Sequence, residues 1–135
     1  MNTINKGEIA ELKVQLLAAE KGFIVSRPTV PARYDCIIDD GKSLTRTQIK
    51  YADGKSDKAE GSVGIRLQQP FLRRREGKNY RRDEVDLVLA YLPCVDKVVA
   101  LRPDNFHDKS IVTIRFNPPK NGQKKGIFLV DDFLW

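Results

Sequence analysis

Histidine is almost absent: His107 is the only one in the chain. Chemistry that needs two or three histidines is thereby excluded, including histidine-rich zinc sites and histidine-dependent nuclease motifs. Cysteine is scarce too. Cys36 and Cys94 lie in different apolar runs without metal-ligand spacing, which reads as two small buried hydrophobes in a reducing compartment. No apolar run approaches the roughly 20 residues that span a bilayer. Residues 1–7 lack an apolar signal core. The expectation is no membrane association and a cytoplasmic location. Acids are outnumbered by bases, 18 against 24, for a net charge of +6. That imbalance suggests a polyanionic partner. With 135 residues, 41% of them hydrophobic, the chain can bury one real core and is expected to form one domain over residues 1–135.

Residues 6–21 predict a helix with Ile9, Leu12, Leu16 and Ala19 as its apolar stripe, Asn5 as N-cap and Gly22 ending it. FIVSRP then reads as a short strand stopped by Pro28. YDCIID and LTRTQIKY are strand-like runs separated by residues 39–42. The Asp40-Gly41 pair in that separator is a strong hairpin signal. In the second run Leu44, Arg46, Gln48 and Lys50 share one face by parity, and Thr45, Thr47, Ile49 and Tyr51 the other.

Residues 52–62 are polar and Gly-containing, and read as a loop. VDLVLAYLP and KVVALRP are buried-strand candidates. IVTIRF alternates like a half-buried strand, NPPKNGQKK is a basic turn, and the apolar IFLVDDFLW is expected to pack. Helix first and strands after it predict an α/β chain, or α+β, around a mixed central sheet.

Asp35 stands at the start of the first hairpin strand, and Gln48 and Lys50 near the end of the second. Across an antiparallel hairpin those ends meet, so an acid, an amide and an ammonium converge. Phosphodiester hydrolysis asks for such a set: oxygen ligands for a divalent ion, and a lysine to orient water and neutralise developing charge. Asp86, inside an apolar run, reads as a buried, hydrogen-bonded aspartate or a strand-end acid. His107 reads as a surface or capping residue.

KGEIAELKVQLLAAEKGF, Pro31, Asp35, TQIK, VDLVLAYLPCVDKVVALRP and NPPKNGQKKGI together resemble the PD-(D/E)XK nuclease superfamily. The similarity is nearest to its group I intron homing endonucleases and more distant to archaeal Holliday junction resolvases. It covers most of the chain. It implies a restriction-endonuclease-like core, with a mixed sheet flanked by helices. It implies Asp35 as the central metal-binding aspartate, Lys50 as the catalytic lysine and Glu11 as the first-helix acid. Gln48 stands where the superfamily usually has Asp or Glu; its carbonyl can still coordinate but adds no charge. Periodicity does not settle the helix acid: Glu8 lies nearer the apolar stripe and only the resemblance prefers Glu11, so both stay open as metal-site residues.

The resemblance implies Mg²⁺ as cofactor, with Mn²⁺ or Ca²⁺ able to substitute for binding, and no organic cofactor. It also implies double-stranded DNA as partner and a homo-oligomer, dimer or tetramer. For DNA contact the sequence offers Lys55, Lys58, Arg66, Arg73, Arg74, Arg75, Lys78, Tyr80, Arg81 and Arg82. Asn117, Lys120, Asn121, Gln123, Lys124 and Lys125 form a second polar-basic group. Site-specific cutting, structure-selective cutting and non-catalytic nucleic-acid binding are the three readings this leaves.

Overall fold

The computed structural model describes residues 1–55, 61–69, 78–118, 121–122 and 126–135. The chain opens with helix α1 (Thr3–Lys21) and continues through strands β1 (Ile24–Ser26), β2 (Cys36–Asp39), β3 (Leu44–Tyr51), β4 (Gly54–Lys55) and β5 (Ser62–Arg66). Then come β6 (Gln68–Gln69), β7 (Lys78–Asn79), β8 (Leu87–Leu92) and β9 (Lys97–Leu101). The short helix α2 (Pro103–Phe106), β10 (Ile111–Arg115) and a 3₁₀ turn (Val130–Asp132) complete it.

The central sheet has the order β1-β2-β3-β8-β9. It is mixed: β3 and β8 run parallel, and the other pairs antiparallel. This is the α/β architecture expected, with α1 against one face and α2 beside β9 and β10. A smaller sheet, β10-β5-β4, covers the other face through a shared core of Val88, Ala90, Leu92, Ile65, Val112 and Ile114. Strand β8 is buried on both faces, which is why LVLAYL carries no polar alternation. The segment read as a loop over residues 52–62 contains β4 and the first residue of β5.

Three details of the sequence reading are corrected. Asn2, not Asn5, caps α1: its Oδ1 accepts from the Asn5 amide at 2.8 Å. The buried stripe of α1 is Ala10, Val14 and Ala18, while Leu12 and Leu16 are 53% and 56% exposed and Ala19 is exposed too. Small side chains let the helix sit close to the sheet, so the i, i+4 row facing inward is not the bulky one. Cys36 is buried as expected, but Cys94 is exposed after β8.

The hairpin β2–β3 forms where the Asp-Gly signal put it. Asp40 accepts from the amides of Lys42 and Ser43, both at 2.8 Å, and Gly41 takes φ 87°. The C-terminus packs back on the sheet, with the Trp135 amide donating to Val98 O at 3.0 Å.

Candidate active site

Two devices fix β3. On one side Asp86, just before β8, grips Arg46. Its Oδ2 accepts from the Arg46 amide and Nε, and its Oδ1 from Nη2, each at 2.9 Å. This is the strand-end acid expected of Asp86, and it sets the parallel register that pairs Gln48 with Val88 and Lys50 with Ala90. On the other side Asp35, one residue ahead of β2, reaches across the hairpin. Its amide donates to Thr47 O at 2.9 Å, and its Oδ2 accepts from the Ile49 amide at 2.8 Å. Those two bonds bracket Gln48.

Ile49 and Tyr51 join the core under α1, so the alternation of β3 turns Gln48 and Lys50 to the opposite face. Among the described residues, neither the half-buried Gln48 amide nor Asp35 Oδ1 has a hydrogen-bond partner. Burial pushes the Asp35 carboxyl above the ordinary value; the Ile49 amide opposes this, the Glu11 charge adds to it and Lys50 pulls against it. Burial lowers Lys50, against the attraction of Asp35 and helped by the repulsion of Arg33. Asp35, Lys50 and Glu11 therefore act within one electrostatic neighbourhood.

Helix acids are distinguished by geometry where periodicity leaves them open. Glu8 is exposed, whereas Glu11 is half-buried and its charge reaches Asp35. Glu11 Oε2 meets Arg27 Nη2 at 3.3 Å. Arg27 thus balances the acidic end of the site.

A family model described as PD-(D/E)XK endonuclease matches residues 1–135. The chain belongs to that family. It is a nuclease-type protein, and nucleases of this family generally use divalent metal ions. Its fold is similar to that of the bacterial homing endonuclease I-Ssp6803I. That likeness has a TM-score of 0.79 at 19% identity, covering 99% of this chain and 89% of that one. No curated protein sequence matches.

The donor set suits a hard divalent cation in kind: carboxylate oxygens from Asp35 and Glu11, and an amide oxygen from Gln48. Among the described residues no three His, Cys, Asp or Glu side chains gather around one point. Gln48 is the neutral oxygen donor on this face, and Glu11 is already in contact with Arg27.

Beside Lys50 opens a cleft of about 570 Å³, also bounded by Lys6, Asp53, Gly54, Arg66 and Gln68. Arg66 is exposed there. Arg81 and Arg82 are on the surface, each near an acid: Asp83 at 3.6 Å and Asp104 at 3.1 Å. His107 takes the capping role expected of it, ending α2 and accepting from the Arg82 amide at 3.0 Å. Asn117 and Asn121 are exposed. Lys58, Arg73, Arg74, Arg75, Lys120, Gln123, Lys124 and Lys125 lie outside the described residues, as do the side chains of Lys55 and Lys78.

Tyr80 is a correction. Read as a DNA-contacting aromatic among arginines, it is 0% exposed and part of the core. No base can stack on it, because its ring is fully covered. Sequence reasoning also missed Arg27 and Arg33, cations of the segment between β1 and β2. Their closeness to Asp35 along the chain was the available signal. Among the described residues no helix is long and apolar enough to cross a membrane.

Proposed function

We propose that this protein is a site-specific endonuclease of double-stranded DNA, of the homing type, hydrolysing phosphodiesters with Mg²⁺. The observation that carries the proposal is the double tie of Asp35 around Gln48, with Lys50 next on the same face. Mg²⁺, when bound, would polarise the phosphate and acidify a water. Asp35, Gln48 and Glu11 would hold it, with Glu8 outside the donor set. Lys50 orients the attacking water and offsets charge as water adds to phosphorus and one P–O ester bond breaks.

DNA approaches through the cleft beside Lys50, with Arg66 on phosphates and the basic residues of 55–82 and 117–125 extending the contact. Arg81 and Arg82 belong to this surface, and Tyr80 does not. One domain spans residues 1–135, and a dimer or tetramer reads a near-palindromic target, since symmetric proteins read symmetric sites.

Cleavage of duplex libraries in Mg²⁺ tests the proposal, with Asp35→Ala and Lys50→Ala as controls. Cutting confined to one sequence and lost in both variants is expected. Preferential cutting of a four-way junction would make the protein a structure-selective nuclease. Binding without any cutting would make it a non-catalytic nucleic-acid-binding domain.

A further inference from the structure

Among the described residues Lys50 has no carboxylate within ion-pair distance. What its ammonium does have is a ring: Nζ lies 4.9 Å from the centroid of Tyr80. That ring is firmly placed. Tyr80 is fully buried, and its carbonyl accepts from the Asp108 amide at 3.0 Å. The neighbouring Asn79 is bonded to Gln68 and to the Asp108 carbonyl. Arg33 also lies over the ring, Cζ 4.6 Å from the centroid, and is itself tied to Glu84 at 3.1 Å and to Asn79 O at 3.0 Å. The phenol hydroxyl finds no hydrogen-bond partner among the described residues, so what Tyr80 offers the site is its face.

An aromatic face suits a catalytic ammonium better than a carboxylate would. Its quadrupole attracts the cation yet neither neutralises it nor accepts all its N–H groups. The long lysine stem samples many rotamers, and reaction needs one of them. We propose that Tyr80 is a positioning residue for the hydrolysis put forward above, its ring holding the Lys50 ammonium beside Asp35 while leaving its charge free for water and phosphate. This role rests on that reading of the site.

Two variants and one spectrum test it. Tyr80→Leu removes the face; Tyr80→Phe keeps it and deletes only the unpartnered hydroxyl. On a duplex that the wild type cuts in Mg²⁺, Y80L is expected to lose on the order of tenfold in kcat. KM and DNA affinity in Ca²⁺ should be unmoved, and Y80F should restore wild-type kcat. By NMR of ¹³C-lysine protein without metal or DNA, the Lys50 ε-methylene protons should be shifted upfield in the wild type and in Y80F. Wild-type protein alone gives that reading if Y80L does not fold. Equal losses in Y80L and Y80F, or wild-type cutting with an unshifted Lys50, would overturn the role alone. A wild type with the shift that cuts no DNA would overturn the nuclease reading and the role with it.

Discussion

The Ile49 amide donates to Asp35 Oδ2 at 2.8 Å across the β2–β3 hairpin. One oxygen of the acid is thereby spent on holding position and the other is left for a ligand. The arrangement is uncomfortable for the metal-free protein, because burial raises the Asp35 carboxyl above its ordinary value despite that bond. A folded state that binds the proton more tightly than the unfolded chain loses stability as pH rises through the folded pKa.

Asp35→Asn is accordingly expected to melt higher than the wild type at pH 7 in a chelator. The gap should close below about pH 4, where the acid is protonated in both states. The same variant should lose at least about 100-fold in cutting. Thermal scans across pH check the first part; an Asn variant that melts lower at neutral pH would show that the carboxylate stabilises the fold.

Gln48 brings an oxygen but no charge. Gln48→Glu is expected to lower the Mg²⁺ concentration at half-maximal cutting several-fold, on the order of one added carboxylate ligand. Gln48→Ala should impair cutting more than DNA binding measured in Ca²⁺. An unchanged Mg²⁺ midpoint in the Glu variant would remove residue 48 from the ion's ligands.

Asp86 is held below the usual carboxylate range chiefly by the Arg46 side chain, with the Arg46 amide adding to it. Its contribution is therefore present above the unfolded carboxylate value near pH 4 and fades as pH falls through the lower folded value. Asp86→Asn should cost on the order of 1 kcal/mol at neutral pH, since the pair is partly exposed. That loss should shrink in acid. Urea melts at pH 7 and pH 3 measure it, and a loss that does not depend on pH would contradict the ion-pair account.

Arg66 is exposed beside the Lys50 cleft. Arg66→Ala is expected to weaken DNA binding while leaving the melting temperature within about a degree. The slope of log affinity against log salt should fall by about one phosphate contact. An unaltered slope would place the DNA elsewhere.

Much of this site is readable in the chain because it depends on short-range rules. Asp40-Gly41 makes the hairpin, and period two puts Gln48 and Lys50 on one face. Choices made by tertiary packing are not readable in that way. The α1 row that faces the sheet is the small one, Ala10 and Ala18, because closeness to β3 outweighs side-chain size. Tyr80 directly precedes the exposed Arg81 and Arg82 in sequence, yet it lies in the core under Lys50, its carbonyl bonded to the Asp108 amide. Arg27 and Arg33 reach the site through a connection between β1 and β2 that has no period to betray them. Glu11 is separated from Glu8 by its burial, by its charge reaching Asp35 and by its contact with Arg27, none of which the helical period shows.

Crystals of the protein grown with DNA and Mn²⁺, with data collected at the manganese absorption edge, address the central claim most directly. The account predicts an anomalous peak within coordination distance of Asp35 Oδ1, the Gln48 amide oxygen and Glu11, with the Lys50 ammonium beside it. A peak ligated by other residues, or none between these side chains while DNA occupies the cleft, would contradict it.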